Sequence, residues 1–350
     1  MPTKYKICIL GSGNWATAIA RVMAKNCLKS PVFDKKIIMY VYEEIVDDKN
    51  LSDIINETHE NVKYLPGFKL SKNVVAVADL VLAAREADFL FFALPYCYLR
   101  TVCSTLLGMI KPTAIGFSLI KGFDRKEQGG IDLISKIIRR YLRIPCHVLM
   151  GATTALDVAE GRFCEATIGC PDEKTGNLIL EIVQTEFFRL KVVSDADCVE
   201  LCAALKGIVA CAAGFADALG QGQCTKGAIL RAGILEMIRF IDVFHPQSRL
   251  STFFESCGLA DLVSSCNIGR HRRLSEEFAR TGKTVEELEQ ELLHGNRLQG
   301  PHIARETYNA IVHEDCVNSF PLFVTVHKIF EKELLPDEIL RSIASRTEHM

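Results

Sequence analysis

The stretch Tyr5-Lys6-Ile7-Cys8-Ile9-Leu10-Gly11-Ser12-Gly13-Asn14-Trp15-Ala16 decides the fold. An apolar run of strand length feeds a glycine-rich turn, and Ile19, Ala20, Val22 and Met23 continue the apolar pattern with helical spacing. Strand, turn and helix in this order make the first unit of a dinucleotide-binding fold. Gly11 permits the tight bend, Gly13 lets a diphosphate approach the backbone, and the small Ala16 lets helix and strand pack. The anion would rest on the helix N-terminus, where unpaired N–H groups and the dipole favour negative charge. Two glycines and a small third residue alone mark only a turn; their place at the first strand–helix junction carries the stronger reading.

Outward from this turn, strand-length apolar runs alternate with helical periodicity. Strands are predicted at Tyr5–Leu10, Ile37–Tyr42, Val74–Val77, Phe89–Leu94, Ala114–Leu119 and His147–Met150, with helices from Trp15, Asp79, Cys97 and Gln128. The unbroken apolar run Phe89–Leu94 is what a strand covered on both faces requires. Two more strands are expected at Ala166–Gly169 and Arg189–Val193. Beyond these, Asp197–Leu219, Lys226–Phe244, Arg272–Thr281, Val285–His294, Ile303–Val312 and Leu322–Glu331 carry helical spacing. The fold class is therefore α/β, with a Rossmann-type doubly wound sheet in residues 1–193 and an all-α domain in residues 194–350.

A chain of 350 residues accommodates two domains. Its 41 Lys and Arg against 43 Asp and Glu provide no overall field for nucleic acid or an anionic membrane, so neither is expected as a partner. The 14 cysteines form no C-x-x-C pair and read as reduced thiols, and the nine histidines show no ligand spacing, so no metal site is expected. The N-terminus lacks the pattern of a secretory signal, which makes the cytoplasm the expected location. The apolar stretch Cys198–Gly220 is interrupted by Glu200, Lys206 and Asp217 and reads as a buried helix.

Past the second strand, Glu43 and Glu44 could bond ribose hydroxyls and repel a 2′-phosphate, which favours NAD over NADP. Their spacing of 32 residues from Gly11 exceeds the usual 20 or so, so an extended loop at Asn26–Lys35 is expected. Tyr42 could flank the adenine or simply close the strand. Lys206 is the lone cation of its apolar helix, and desolvation there would lower its pKa toward the working pH of a general acid or base. The run from Ser265 through Gly269-Arg270-His271-Arg272 brings local positive charge to the start of a helix, suited to a phosphate; a solvated face or an RNA contact is the bland alternative.

The chain resembles the cytoplasmic NAD-dependent glycerol-3-phosphate dehydrogenase family of eukaryotes over nearly its whole length. The resemblance is carried by Gly11–Trp15, His59-Glu60-Asn61-Val62-Lys63-Tyr64-Leu65-Pro66-Gly67, Ser118-Leu119-Ile120-Lys121-Gly122, Phe254-Glu255-Ser256-Cys257-Gly258-Leu259-Ala260-Asp261-Leu262 and Leu298-Gln299-Gly300-Pro301. It implies a homodimer that interconverts glycerol 3-phosphate and dihydroxyacetone phosphate with NAD. It implies Lys206 as general acid/base, with Lys121 and Asp261 beside it. Cofactor contacts fall on Gly11, Ser12, Gly13, Asn14, Trp15, Ala16, Tyr42, Glu43, Lys121, Arg270, Arg297 and Gln299, and substrate contacts on Lys121, Lys206, Ser265, Arg270 and His271.

Several positions depart from the family pattern. Thr153, Gly207 and His271 each stand where the family has asparagine, Ser265 replaces threonine and Arg297 replaces lysine. Three lost amides, at about 1 kcal/mol each, would together cost roughly 2–4 kcal/mol if they acted independently. That keeps open a second reading, a divergent paralogue of reduced activity that serves as a binding or dimer-forming protein. His271 is expected to change charge near neutral pH.

Overall fold

The computed structural model describes residues 4–126, 130–293 and 297–344. Contacts divide the chain into two compact units, Met1–Ile120 with Ile134–Ala196, and Lys121–Leu133 with Asp197–Met350.

In the first unit, β1 (Tyr5–Leu10) leads through the glycine turn into α1 (Asn14–Cys27) and β2 (Phe33–Tyr40). A short hairpin, β3 (Ile45–Val46) and β4 (Lys49–Asn50), precedes α2 (Leu51–Thr58), and then come β5 (Val74–Val77), α3 (Leu80–Ala84), β6 (Phe89–Phe92), α4 (Leu99–Leu106) and β7 (Ile115–Ser118). The chain leaves for the second unit as the hairpin β8 (Phe123–Arg125) and β9 (Ile131–Leu133). It returns as α5 (Ile134–Leu142), β10 (Cys146–Met150), α6 (Ala155–Glu160), β11 (Cys164–Gly169), α7 (Glu173–Val183) and β12 (Phe188–Val193).

The main sheet runs β12-β11-β10-β7-β6-β1-β2-β5, and β10 against β11 is its antiparallel pair. Strand order reverses between β1 and β6, so the glycine turn lies at the carboxyl end of a strand at a topological switch point. Alternation explains the apolar runs. Ile7, Ile9, Phe89 and Phe91 face one core with α1, α6 and α7, whereas Cys8, Leu10, Leu90 and Phe92 face another with α3, α4 and α5. Each fully buried side chain of this size contributes about 1.5–3 kcal/mol.

The predicted strands are present, with ends shifted by a few residues. The extended loop at Asn26–Lys35 is not: α1 runs to Cys27 and β2 begins at Phe33. A fourteen-residue helix and an eight-residue strand take up the spacing instead. Strand β2 ends at Tyr40, so Tyr42 lies beyond it. The helix read from Gln128 starts outside the described residues.

The second unit is built around α8 (Ala196–Ala218), followed by α9 (Gln223–Phe244), α10 (Asp261–Ile268), α11 (Arg270–Thr281), α12 (Val285–Leu293), α13 (Gln299–His313), α14 (Pro321–Phe330) and α15 (Glu338–Ala344). Helix α8 has the length and apolarity of a membrane span, yet its apolar window is wholly buried within the protein. A helix apolar on all sides needs neighbours all round, and α9, α11, α13, α14 and the β8–β9 hairpin share its core. Gly214 of α8 lets α11 approach, because a Cβ there would lie 2.2 Å from the Arg272 carbonyl oxygen.

Candidate active site

Each unit carries one cluster of the residues singled out by sequence. In the first unit, Gly11 has φ +127°, and a Cβ on it would lie 2.3 Å from the Ala93 carbonyl oxygen, so the bend admits only glycine. Gly13 is the N-cap of α1, and a Cβ there would meet nothing within 4 Å. The Gly13 N-cap has no side chain and the first turn carries no acid; Asn14 Oδ1 accepts from the Trp15 N–H at 2.7 Å. Open space above a glycine-capped helix N-terminus fits a diphosphate. Ser12 and Ala16 are buried, Asn14 is exposed, and Trp15 packs edge-on against Phe188.

Asn61 holds this turn in place. Fully buried, it donates to the Ser12 carbonyl at 2.7 Å and to Thr17 Oγ1 at 2.9 Å, and its Oδ1 accepts from the Tyr64 N–H. Sequence reasoning gave Asn61 no role, although it belongs to the block His59–Gly67. The chain alone shows no chemistry there, because its partner Ser12 lies 49 residues away.

Glu43 and Glu44 are both engaged with protein. Glu43 accepts from the Ser52 N–H at 3.1 Å and the Ser52 hydroxyl at 2.5 Å, which ties it to the first turn of α2. Glu44 pairs with Lys63 and accepts from the Tyr64 hydroxyl at 2.5 Å. Burial favours its neutral form, yet Lys63 and Tyr64 hold it below the ordinary carboxylate range. Tyr42 is 71% exposed. Thr153, also in this unit, bonds through its N–H back to the Gly151 carbonyl.

The second unit gathers Lys121, Lys206, Asp261 and Ser265. Asp261 opens α10 directly after a π-helical turn, Ser256–Ala260. Its carboxylate accepts from Lys206 through one oxygen and from Lys121, at 2.9 Å, through the other. Lys206 also donates to Ser265 Oγ at 3.0 Å. The side chains of Lys206 and Asp261 are only 7% and 3% exposed, against 32% for Lys121. Burial pushes Lys206 down from the usual lysine range to about 7; Asp261 opposes this fall and Lys121 adds to it. The balance of these three influences favours an ammonium that gives up its proton near neutrality.

Arg270 is the first residue of α11, whose N-terminus has no side-chain cap and no acid in its first turn. The Arg270 side chain is exposed, and among the described residues no carboxylate pairs with it. Arg272 differs, since Asp217 and Glu276 hold its guanidinium. The expected charge change of His271 does not occur. Burial, with Arg270, Lys206 and Lys121 nearby, pushes it down to about 3, so the imidazole is neutral at physiological pH. Gln299 leans on the loop after Lys121, with Oε1 2.9 Å from where a Gly122 Cβ would lie. Arg297 is exposed.

Comparison with known proteins places these clusters in context. Residues 6–176 match the model of the NAD-dependent glycerol-3-phosphate dehydrogenase N-terminus, and residues 195–341 match that of its C-terminus. The cytoplasmic glycerol-3-phosphate dehydrogenase [NAD(+)] of Drosophila melanogaster is 55% identical over 350 residues, covering 100% of this chain and 96% of the fly protein. The solved Plasmodium falciparum glycerol-3-phosphate dehydrogenase superposes with a TM-score of 0.93 at 38% identity, covering 99% of this chain and 97% of that one. The Dunaliella salina GPDH structure gives 0.93 at 37%; the match covers 99% of this chain and spans 62% of that one.

Proposed function

The chain belongs to the NAD-dependent glycerol-3-phosphate dehydrogenase family, and we propose that Lys206 is the general acid/base with which it interconverts glycerol 3-phosphate and dihydroxyacetone phosphate. It is a cytoplasmic NAD-dependent oxidoreductase, like the relatives it matches. The observation that carries the Lys206 assignment is a lysine buried against one carboxylate and a second ammonium, with its pKa brought to about 7.

When bound, NAD would supply the hydride acceptor for oxidation of the alcohol, and NADH the hydride donor for reduction of the ketone. Neutral Lys206 takes the hydroxyl proton as the alcohol is oxidised, and the ammonium returns it to the forming alkoxide in the reverse direction. Asp261 and Ser265 fix Nζ by accepting its hydrogen bonds, and burial, with Lys121 adding to it, keeps its pKa low. Arg270 grips the phosphate with two donors, supported by the N-terminus of α11, and His271 and Ser265 line the same pocket. For the cofactor, the Gly11–Ala16 turn takes the diphosphate and Tyr42 flanks the adenine. Glu43 disfavours a 2′-phosphate, and Lys121, Arg270, Arg297 and Gln299 add donors.

The protein acts as a homodimer. Leu250, Phe254, Leu259, Val263 and Ile268 are exposed large apolar residues on consecutive turns of the second unit, more than a lone surface needs. Sedimentation at micromolar concentration is expected to give twice the 39.0 kDa chain mass; a monomer rejects this point alone.

The test of the reading is NADH oxidation with dihydroxyacetone phosphate. Lys206→Met is expected to lower kcat by about 10²–10⁴ while NADH still binds. Unchanged turnover would remove Lys206 from the mechanism, and NADH binding without turnover in the unmodified protein would favour the paralogue of reduced activity.

A further inference from the structure

Asp217 interrupts the apolar helix α8 as Lys206 does, but what it meets is another helix. Helix α11 contacts α8 through Arg272, two residues beyond Arg270, at two points one turn apart. At the first, a Cβ on Gly214 would stand 2.2 Å from the Arg272 carbonyl oxygen. At the second, three residues on, Asp217 accepts from Arg272 Nε at 2.5 Å. Backbone and side chain of one residue are thereby both held by α8. The turn that leads into α11 is equally confined. Gly269 donates its N–H to the Ser265 carbonyl at 3.0 Å, and a Cβ on it would lie 2.3 Å from that oxygen.

Asp217 is fixed in its turn by α9, since Lys226 reaches its two oxygens at 2.8 and 2.9 Å. Burial favours the neutral acid, yet Lys226 and Arg272 hold Asp217 below the ordinary carboxylate range. Arg272 also pairs with Glu276 on its own helix, so its charge is spent within the protein. Two residues of α-helix differ by about 200° of rotation and about 3 Å of rise. Fixing position 272 against α8 therefore fixes position 270 and turns it outward, where Arg270 is exposed and without a carboxylate among the described residues. A buried ion pair adds little net stability, but a guanidinium held at a set angle specifies geometry. We propose that Asp217 and Arg272 are positioning residues of the reaction: their ion pair locks the first turn of α11 onto α8 and so aims Arg270 at the substrate phosphate. This inference rests on the phosphate role given to Arg270 above.

The experiment is Arg272→Met in the full chain, assayed by NADH oxidation with dihydroxyacetone phosphate. It cuts the tie between the helices but leaves Asp217 with Lys226 and Glu276 with Arg280. The substrate KM is expected to rise roughly five- to tenfold, the worth of one hydrogen bond of the two-pronged grip, with kcat within about twofold and the NADH KM rising less. Competitive inhibition by inorganic phosphate should weaken by the same factor. Arg272→Lys, which keeps a charged contact to Asp217, should recover most of the loss. In an Arg270→Ala background Arg272→Met should add less than about twofold, because residues that act through one another are not additive. A wild-type substrate KM in Arg272→Met overturns the proposal, and so does a rise that persists undiminished without Arg270, as a general loosening of the helix would give. Should Arg272→Met fail to fold, Asp217→Glu, which keeps both charges and displaces the carboxylate by one methylene, carries the same comparison. If Arg270→Ala itself leaves the substrate KM unchanged, the phosphate role of Arg270 fails first, and the proposal falls with it.

Discussion

At the glycine turn the groups offered to a proposed ligand are backbone amides within six consecutive residues, Gly11–Ala16, whereas around Lys206 they are side chains gathered from positions 121, 206, 261 and 265, the first three charged. A backbone site is fixed by conformation: Gly11 must bend and Gly13 must leave space, and no single titration alters what they offer. A site of buried charges is held by mutual compensation, so removing one member leaves another uncompensated, a change costing about 3–5 kcal/mol for a buried pair. The first design therefore tolerates most side-chain changes, and the second tolerates few. Fine tuning of pKa is possible only in the second.

Arg270→Ala should break the comparison most visibly. Losing a charge-assisted, two-pronged contact is expected to raise the KM for dihydroxyacetone phosphate about a hundredfold, from roughly 2–4 kcal/mol of lost hydrogen bonding. The NADH KM should rise far less, because Arg270 is one of several donors proposed for the cofactor. Equal loss in both would mean that the guanidinium serves the cofactor as much as the phosphate.

The next effect is a pH dependence confined to the charged cluster. With Lys206 near 7, reduction needs the ammonium and should fall about tenfold per pH unit well above 7. Oxidation needs the neutral amine and should fall likewise well below 7. Lys121 is a like charge that lowers this pKa; Lys121→Met should therefore move both breakpoints upward, even as it reduces the rate. NADH affinity measured by fluorescence over the same range should be flat. Breakpoints that stay in place would show that Lys121 does not set the Lys206 titration.

The same contrast explains what sequence could reveal. The glycine turn is local, and the core alternation of β1 and β6 is written directly in Ile7–Leu10 and Phe89–Phe92, so the fold of the first unit was readable from spacing. Lys206 stood out as a cation in an apolar helix. Its partners Asp261 and Lys121 entered only through resemblance, because nothing in the chain shows that Lys121 meets a carboxylate 140 residues further on. The clamp of Asn61 on Ser12 was hidden for the same reason. The small α10 and the π-helical turn before Asp261 were unreadable, since Ser256–Ile268 mixes small and polar residues without a clean period. His271 was misjudged on charge because its ordinary pKa says nothing of its burial or of the three cations around it.

The smallest expected effect tests whether side chains contribute at the nucleotide turn at all. Glu43 and Glu44 are adjacent in sequence but differ electrostatically. Glu44 is paired with Lys63, so at a distance the two charges nearly cancel, while Glu43 is bonded to Ser52 and keeps its charge against the first turn of α2. One unit charge about 8 Å away through water is worth about 0.5 kcal/mol. Glu43→Gln should therefore narrow the preference for NADH over NADPH by roughly two- to threefold, and adding Lys63→Met should leave that change in place. Glu44→Gln uncovers the Lys63 ammonium and should shift the ratio by a similar factor, but here Lys63→Met should cancel the shift. If neither glutamate alters the ratio of kcat/KM values, discrimination at the ribose does not come from these carboxylates, and the nucleotide turn works through its backbone alone.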